Sequence, residues 1–340
     1  MEYMITLRKA DNSEGVGPAR YLTFTDGSDA DGVLEQSAWV ASIINSFPPG
    51  PSNAVGHPDR SGDILFLVHG FNVSHESAKA FHLKCVSQLQ KQGWFGRVIS
   101  YDWPSDGLVF AYLPDRVNAR AAASTLVSGA ISVLEAVQKK QCTINVHVLA
   151  HSMGCFVVQQ AIGWSYQDVA ADWKIGQLMF AAADVDYTVF EAGNPSATAF
   201  LQHAGRLTAY CNAYDKALLI SNTKRLELAP RMGRVGLPDA APPMMCEVNC
   251  SALFQAVCSN IQGNLSPSLT HSFYFDQQPF WRDVVLTLGG GIDRSIFPTR
   301  DQDPGNALAN RFVLDPVGPS DAAYRLALMQ AATSPSIRIS

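Results

Sequence analysis

One stretch of the sequence places a serine at the point where a strand is expected to meet a helix. In residues 148–155 (VLAHSMGC), Ser152 follows an apolar run and precedes a helical pattern. This is the context of a nucleophile elbow, where small residues on both sides leave room for a tight turn. Ala150 and Gly154 occupy those positions. The spacing predicts that Ser152 is a nucleophile for acyl transfer, and a serine that only caps the next helix is the alternative.

A second stretch predicts the groups that would stabilise the oxyanion. Residues 66–71 (FLVHGF) are typical of a strand that ends in His-Gly. Acyl transfer needs two backbone N–H donors fixed in advance around the developing oxyanion. One comes from the residue after the nucleophile, and the other from the loop after an earlier strand. The sequence therefore predicts an oxyanion hole formed by Met153 and Phe71, with an ordinary strand-ending turn as the alternative.

Five short segments resemble the α/β-hydrolases, and more narrowly a bacterial family described only as α/β-hydrolases of unknown function. They are 69–72 (HGFN), 101–105 (YDWPS), 150–154 (AHSMG), 183–186 (ADVD) and 271–275 (HSFYF). The resemblance covers most of the chain and implies the α/β-hydrolase fold with a Ser/Asp/His triad. It implies no substrate, because this fold supports many chemistries.

The order of the triad along the chain selects candidates for the acid. In the superfamily the acid follows the serine and precedes the histidine. Asp184, Asp186 and Asp215 each follow a predicted strand after Ser152. An acid after the next-to-last strand fits the usual pattern, which favours Asp215. Asp184 and Asp186 stay open as alternatives, or as residues that cap and hold the following turn.

The same order selects the base among eight histidines. Only His271 follows both Ser152 and Asp215, and it lies in a predicted loop over 266–272. His203 is the leading alternative, although it precedes Asp215. In this mechanism His271 accepts the proton of Ser152 and Asp215 orients the imidazole. No metal and no organic cofactor is needed.

An apolar stretch after the strand predicted at 97–101 is expected to form a wall of the substrate pocket. Its candidate substrate-binding residues are Trp103, Phe110 and Tyr112, and core packing under a long loop is the alternative. These features favour a small-molecule ester substrate with an apolar portion, and hence an esterase or lipase. An amidase, peptidase or thioesterase on the same triad is an alternative, as is a catalytically inactive binding protein of this fold.

The segments that must position these residues alternate between strands and helices. Strands are expected over 63–68, 97–101, 143–149, 177–181, 206–211 and 246–251, and helices over 74–92, 116–139, 154–165, 196–204 and 278–288. This alternation predicts an α/β fold with a mostly parallel central sheet and helices on both faces. We expect one α/β-hydrolase domain over 1–340 with a core at about 60–290.

Segments outside the regular alternation have predictions of their own. Residues 2–7 and 21–24 are expected to supply edge strands. Residues 225–243 are rich in proline and glycine without periodicity, which predicts a lid over the active site, with a surface connection as the alternative. Residues 292–340 are expected to form a C-terminal extension that wraps the domain, with a partly mobile tail as the alternative.

The composition limits the class of protein. Hydrophobic residues make up 47% and charged residues 16%, which excludes a mainly disordered chain. With a net charge of −5 and no dense basic run, nucleic acid is not an expected partner. No apolar stretch reaches the roughly 18–20 residues of a membrane span. We expect a cytoplasmic protein, or a secreted one if a leader has been removed, and the sequence does not indicate its oligomeric state.

The sequence has seven cysteines. An odd number without a signal peptide predicts mostly reduced thiols. Cys246, Cys250 and Cys258 cluster along the chain, but their spacing lacks the second half of a zinc site. A local disulfide or a metal site at this cluster is the alternative.

Overall fold

The computed structural model describes residues 1–11, 15–25, 32–48, 60–105, 112–131, 143–165, 173–224, 229–259, 265–306, 308–332 and 336–338. The described strands are β1 (Glu2–Arg8), β2 (Val16–Phe24), β3 (Gly32–Leu34), β4 (Ser61–Val68), β5 (Arg97–Asp102), β6 (Thr143–His151), β7 (Ile175–Ala181), β8 (Ala204–Cys211), β9 (Met245–Asn249), β10 (Arg300–Gln302) and β11 (Arg311–Leu314).

The described α-helices are α1 (Gln36–Asn45), α2 (His75–Lys91), α3 (Tyr112–Thr125), α4 (Met153–Ser165), α5 (Pro195–His203), α6 (Lys216–Lys224), α7 (Met232–Val235), α8 (Ser251–Cys258), α9 (Pro267–Ser272), α10 (Gln278–Gly289) and α11 (Asp321–Ala331). A π-helical segment, Leu126–Ile131, follows α3. Short 3₁₀ turns occupy Tyr187–Phe190, Phe273–Asp276 and Arg294–Ile296. No helix among these residues is long and apolar enough to cross a membrane.

The strands form one sheet in the order β10-β11-β9-β8-β7-β6-β4-β5-β1-β2-β3. Every neighbouring pair from β11 to β1 is parallel. Only the outer pairs β10–β11, β1–β2 and β2–β3 are antiparallel. The mostly parallel sheet predicted from the sequence is therefore confirmed. The edge strands predicted at 2–7 and 21–24 fall within β1 and β2. That prediction is wrong, because both are interior strands with β3 outside them.

Both faces of the sheet are covered, as the continuous apolar runs predict. Along β4, Ile64 and Phe66 belong to one buried core, while Leu65 and Leu67 belong to the other. This alternation follows from the period of two residues in a strand. Helices α1, α3, α4 and α5 contribute to the first core, and α2, α8, α10 and α11 to the second.

The order of the central strands determines where a site can form. The chain runs from β4 to β5 on one side and then crosses to β6 on the other side of β4. Such a reversal opens a crevice at the carboxyl ends of the strands, where ligands bind in open α/β sheets. The loops after β4 and β6 carry the His-Gly turn and Ser152, so the topology brings these two segments together.

The C-terminal extension predicted at 292–340 contributes to the sheet. Strand β11 pairs with β9, and β10 adds the outermost strand. Arg300 of β10 forms a fully buried ion pair with Asp283 of α10, Nε to Oδ2 2.6 Å. A buried pair is tolerated only where its remaining polar atoms are hydrogen-bonded. The side chains of Tyr210, Thr287 and Thr299 make those hydrogen bonds.

Three predicted segments differ in detail from the structure. The helix predicted at 116–139 begins earlier, at Tyr112, and residues 132–142 lie outside the described part. The strand predicted at 246–251 ends at Asn249, because α8 begins at Ser251. In the predicted lid, residues 225–228 lie outside the described part. In its remainder, Arg231 and Met232 are buried in the domain. A lid over the active site stays a prediction.

Candidate active site

Ser152 lies between the end of β6 and the first turn of α4, on a strained backbone. Its φ is +54°, a left-handed conformation that non-glycine residues rarely adopt. Strain of this kind persists only where the surrounding structure enforces it, and it is concentrated at functional sites. Hydrogen bonds hold the turn: Ser152 N–H donates to Ala181 O (3.0 Å), and Ser152 O accepts from Asp184 N–H (3.1 Å).

The His-Gly turn after β4 packs directly against this serine. A Cβ atom placed on Gly70 would lie 2.7 Å from Ser152 Cβ. A Cβ atom on Gly154 would lie 2.4 Å from the carbonyl oxygens of both Val68 and His69. Both glycines are therefore required by the close approach of the two backbones. The contact sets the loop that carries Phe71 beside the start of α4, where the Met153 N–H has no partner within the helix.

The crowding at Gly154 gives a stability prediction with a matched control. Gly154→Ala should lower the free energy of unfolding by about 2 kcal/mol or more, because backbone atoms cannot yield to the added methyl. Gly163→Ala on the same helix should raise it by about 0.5–1 kcal/mol, because nothing lies within 4 Å of that position and alanine favours the helix. Urea unfolding of the two variants tests this; equal effects would contradict it.

His271 and Asp215 form a hydrogen-bonded pair. The distance from His271 Nδ1 to Asp215 Oδ2 is 2.6 Å, and the Asp215 side chain is fully buried. Asp215 Oδ1 also accepts from Leu218 N–H at 2.9 Å, which fixes the carboxylate. Burial alone would lower the pKa of His271. The negative charge and hydrogen bond of Asp215, with a further contribution from Asp184, raise this pKa above its ordinary value.

Short polar contacts hold the two loops of this pair together. Asn212 Nδ2 donates to Thr270 O (3.1 Å), and Lys216 N–H donates to Thr270 Oγ1 (3.0 Å). His271 lies in the short helix α9 and not, as the sequence predicted, in a loop over 266–272. Ser266 caps this helix by accepting from Leu269 N–H, and Pro267 occupies its first turn.

The two alternative acids have different surroundings. Asp184 is buried beside the serine, where it accepts a hydrogen bond from Ser221 Oγ (2.9 Å) and lies 3.6 Å from Arg231 Nε. Asp186 caps the Tyr187–Phe190 turn and accepts from both the N–H and the hydroxyl of Thr188. Neither of them, but Asp215, accepts the hydrogen bond that His271 Nδ1–H donates.

A family model described as "Alpha/beta hydrolase of unknown function (DUF900)" matches residues 55–276, more than half of the chain. The chain belongs to this family. The match includes Ser152, Asp215 and His271 and confirms the resemblance drawn from the sequence motifs. No curated protein matches the sequence.

Solved structures similar to this α/β-hydrolase are distant. Carboxyl esterase 2 from the fungus Tuber melanosporum is 12% identical with a TM-score of 0.28, and the match covers 56% of this chain and 58% of that one. An esterase from Rhizomucor miehei is 13% identical with a TM-score of 0.33, and the match covers 73% of each chain. A hormone-sensitive lipase from a metagenome library is 15% identical with a TM-score of 0.32, and the match covers 66% of this chain and 83% of that one. A likeness this distant carries no argument about activity.

Asp102 organises the hydrolase's His-Gly turn, a role that the sequence reasoning missed. Its buried carboxylate contacts His69 Nε2 (3.1 Å), His75 Nδ1 (2.7 Å) and Arg8 Nε (2.8 Å). Burial opposes ionisation, but these hydrogen bonds and charges hold the pKa of Asp102 well below its ordinary value. The 101–105 (YDWPS) motif contains Asp102, but the motif does not indicate that this carboxylate contacts Arg8, His69 and His75.

The three predicted pocket residues and the alternative base each need correction or lie outside the described part. Trp103 is fully buried: its Nε1 donates to His69 O (2.8 Å) and its ring stacks on the His69 ring, so it supports the turn instead of lining the pocket. Phe110 and the side chain of Tyr112 lie outside the described part. His203, the last residue of α5, is buried and stacks on Trp173 with ring centroids 4.1 Å apart.

His151 packs against the candidate base, which the sequence did not indicate. Its ring centroid is 4.7 Å from that of His271, and its Nε2 donates to His271 O at 3.2 Å. Burial, together with the charge of His271, lowers the pKa of His151 to about 3. The ring is therefore neutral near pH 7. Because a carbonyl oxygen only accepts, Nε2 carries the proton, and His151 holds the backbone of His271 in place.

Two cavities meet at His271. The serine cavity, about 390 Å³, is lined by Ser152, Asp184, Leu218, Ile220, Pro267 and His271, among others. The lysine cavity, about 300 Å³, is lined by Ser77, Phe81, Lys84, His271, Phe275 and Asp276, among others. Phe71, Asn72, His151 and Ser268 border both cavities. Phe71 thus lies where the two cavities meet.

The clustered cysteines line neither of the two cavities. Cys246, Cys250 and Cys258 are free and buried, and burial raises the pKa of each thiol. Cys142 lies outside the described part. Within that part, no three His, Cys, Asp or Glu side chains are arranged to hold a metal ion.

The surroundings of His271 lead to a prediction about pH. A candidate base must be neutral to accept a proton from Ser152, so we expect activity to be lost as the pH falls through the His271 pKa. That pKa lies above its ordinary value of 6.5. Asp184→Asn removes one negative charge that raises it, so the acidic limb of kcat/KM should move to lower pH. Asp186→Asn, the control, should leave the limb in place; a limb unmoved in both variants would contradict the argument.

Proposed function

We propose that this α/β-hydrolase cleaves carboxylic esters through an acyl-enzyme formed on Ser152. The observation that carries the proposal is the His271–Asp215 hydrogen bond, because His271 lines the same cavity as Ser152, a serine on a strained elbow. A nucleophile, a base and an orienting acid that converge in this way are the working parts of nucleophilic acyl transfer.

The chemistry follows from these roles. His271 accepts the hydroxyl proton as Ser152 Oγ forms a bond to the ester carbon. The N–H groups of Phe71 and Met153 stabilise the oxyanion of the tetrahedral intermediate. When the C–O bond to the alcohol breaks, the imidazolium of His271 gives its proton to the departing oxygen. Water then attacks the acyl-enzyme by the same route and releases the acid. Asp215 keeps the imidazole oriented and stabilises its charged form.

An active-site probe tests the proposal directly. A fluorophosphonate reacts only with an activated serine, so it should label the protein and the label should map to Ser152. Labelling should fall as the pH drops, because protonated His271 cannot activate the hydroxyl. Hydrolysis of p-nitrophenyl esters should exceed that of the matched p-nitroanilides. Labelling without ester hydrolysis would favour another acyl substrate, and a protein that resists the probe would overturn the proposal.

A further inference from the structure

The serine cavity and the lysine cavity differ in their chemistry. The walls found only in the serine cavity include Ala217, Leu218 and Ile220 of α6, together with Pro267, and are mostly apolar. The lysine cavity instead has a rim of hydroxyl and charged groups over an aromatic floor. Ser77, Lys84, Ser272 and Asp276 form the rim, and Phe81 and Phe275 form the floor, with ring centroids 4.8 Å apart.

Acyl-transfer geometry decides which part of an ester each cavity holds. In the acyl-enzyme the acyl carbon is bonded to Ser152 Oγ, so its substituent must lie in a cavity that Ser152 lines. Only the serine cavity meets this condition, since Ser152 does not border the lysine cavity. The alcohol oxygen must lie beside His271, which protonates it, and the lysine cavity opens from that side chain. The acyl group therefore occupies the serine cavity and the alcohol the lysine cavity.

The charged side chains of the lysine cavity restrict the kind of alcohol group that it can bind. Lys84 Nζ lies 2.6 Å from Asp276 Oδ1, so the two rim charges cancel. A cancelled pair attracts neither anions nor cations strongly, but it offers donors and acceptors to hydroxyl groups. The aromatic floor can pack against the C–H face of the same group.

We infer, on the basis of the proposed function, that the substrate joins an apolar acyl group to a neutral, hydroxylated alcohol. Leu218 and Ile220 contact the acyl group, and Lys84 with Asp276 binds the alcohol. The Lys84 and Asp276 side chains are 37% and 66% exposed, so their hydrogen bonds to a substrate should discriminate by a modest factor against analogues that lack the hydroxyls. The enzyme should therefore prefer a glyceryl ester to an alkyl ester of the same acid.

Two substrate ratios and two variants, each with a control on the same helix, test this inference. The alcohol ratio compares kcat/KM for glyceryl monobutyrate and n-propyl butyrate, and should be about tenfold in the wild type. Lys84→Met should bring this ratio close to one, while Lys91→Met, exposed at the end of α2, should not change it. The acyl ratio compares p-nitrophenyl octanoate with p-nitrophenyl acetate. Ile220→Trp should lower it by about tenfold, while Leu219→Trp, exposed but outside the cavity, should not.

The outcomes separate this inference from the proposed function. A wild-type alcohol ratio near one, in a protein that takes the fluorophosphonate label and hydrolyses esters, overturns the substrate assignment alone. An alcohol ratio that responds to Ile220→Trp, with an acyl ratio that responds to Lys84→Met, overturns the placement of the two groups. A protein that neither labels nor hydrolyses any of these esters overturns the proposed function, and the inference with it.

Discussion

Ser152→Ala is expected to reduce kcat for ester hydrolysis by about a millionfold, the loss seen when a triad nucleophile is removed. The hydroxyl is the atom to which the acyl group becomes bonded, so no neighbouring group can replace it. Alanine keeps the Cβ atom that packs near Gly70, and its tolerance of the positive φ is close to that of serine. Circular dichroism and urea unfolding should therefore match the wild type within about 0.5 kcal/mol.

Two controls make the Ser152→Ala result specific. Ser268→Ala removes a hydroxyl that borders both cavities, and it should change kcat by less than about tenfold because no bond to the substrate forms there. Fluorophosphonate labelling should disappear from Ser152→Ala and persist in Ser268→Ala. A folded Ser152→Ala variant that keeps more than about a tenth of the wild-type kcat would show that another residue is the nucleophile.

The features that the sequence predicted well are those with local signals. Strand β6, the tight turn at Ser152 and helix α4 lie within one continuous stretch, and the small residues at Ala150 and Gly154 follow from the crowding of that turn. The apolar run of β4 likewise predicts a strand covered on both faces. These signals are sufficient for the parallel sheet and for the segment that carries the candidate nucleophile.

The features that were missed depend on contacts between distant parts of the chain. Asp102 supports the His-Gly turn through Arg8 and His75, and the sequence alone does not bring these three residues together. Trp103 is an aromatic residue of the kind that lines apolar pockets. Its ring stacks on His69 instead, and its Nε1–H donates to His69 O. Strands β10 and β11 are short, and Arg300 of β10 is held by a buried ion pair with Asp283 that no periodicity reveals.

Asp215→Asn is expected to lower kcat by on the order of 10⁴-fold, because an amide in place of the carboxylate favours the wrong tautomer of the imidazole. It also removes the charge that stabilises the imidazolium of His271 in the transition state. Asp186→Asn is the matched control, since asparagine caps a turn as well as aspartate does. That variant should retain kcat within about threefold and keep the wild-type stability, because the Thr188 N–H still finds an acceptor at this position.

The comparison with the third aspartate makes the Asp215 prediction specific. Asp184→Asn changes a carboxylate near His271 without removing the Nδ1 hydrogen bond, so at the optimum pH it should cost less than about a hundredfold. The expected order of kcat is therefore Asp186→Asn, then Asp184→Asn, then Asp215→Asn, measured on one p-nitrophenyl ester at the optimum of each variant. If the folded Asp184 or Asp186 variant is the least active, the acid belongs to the loop after β7, and the Asp215–His271 hydrogen bond holds α9 in place instead.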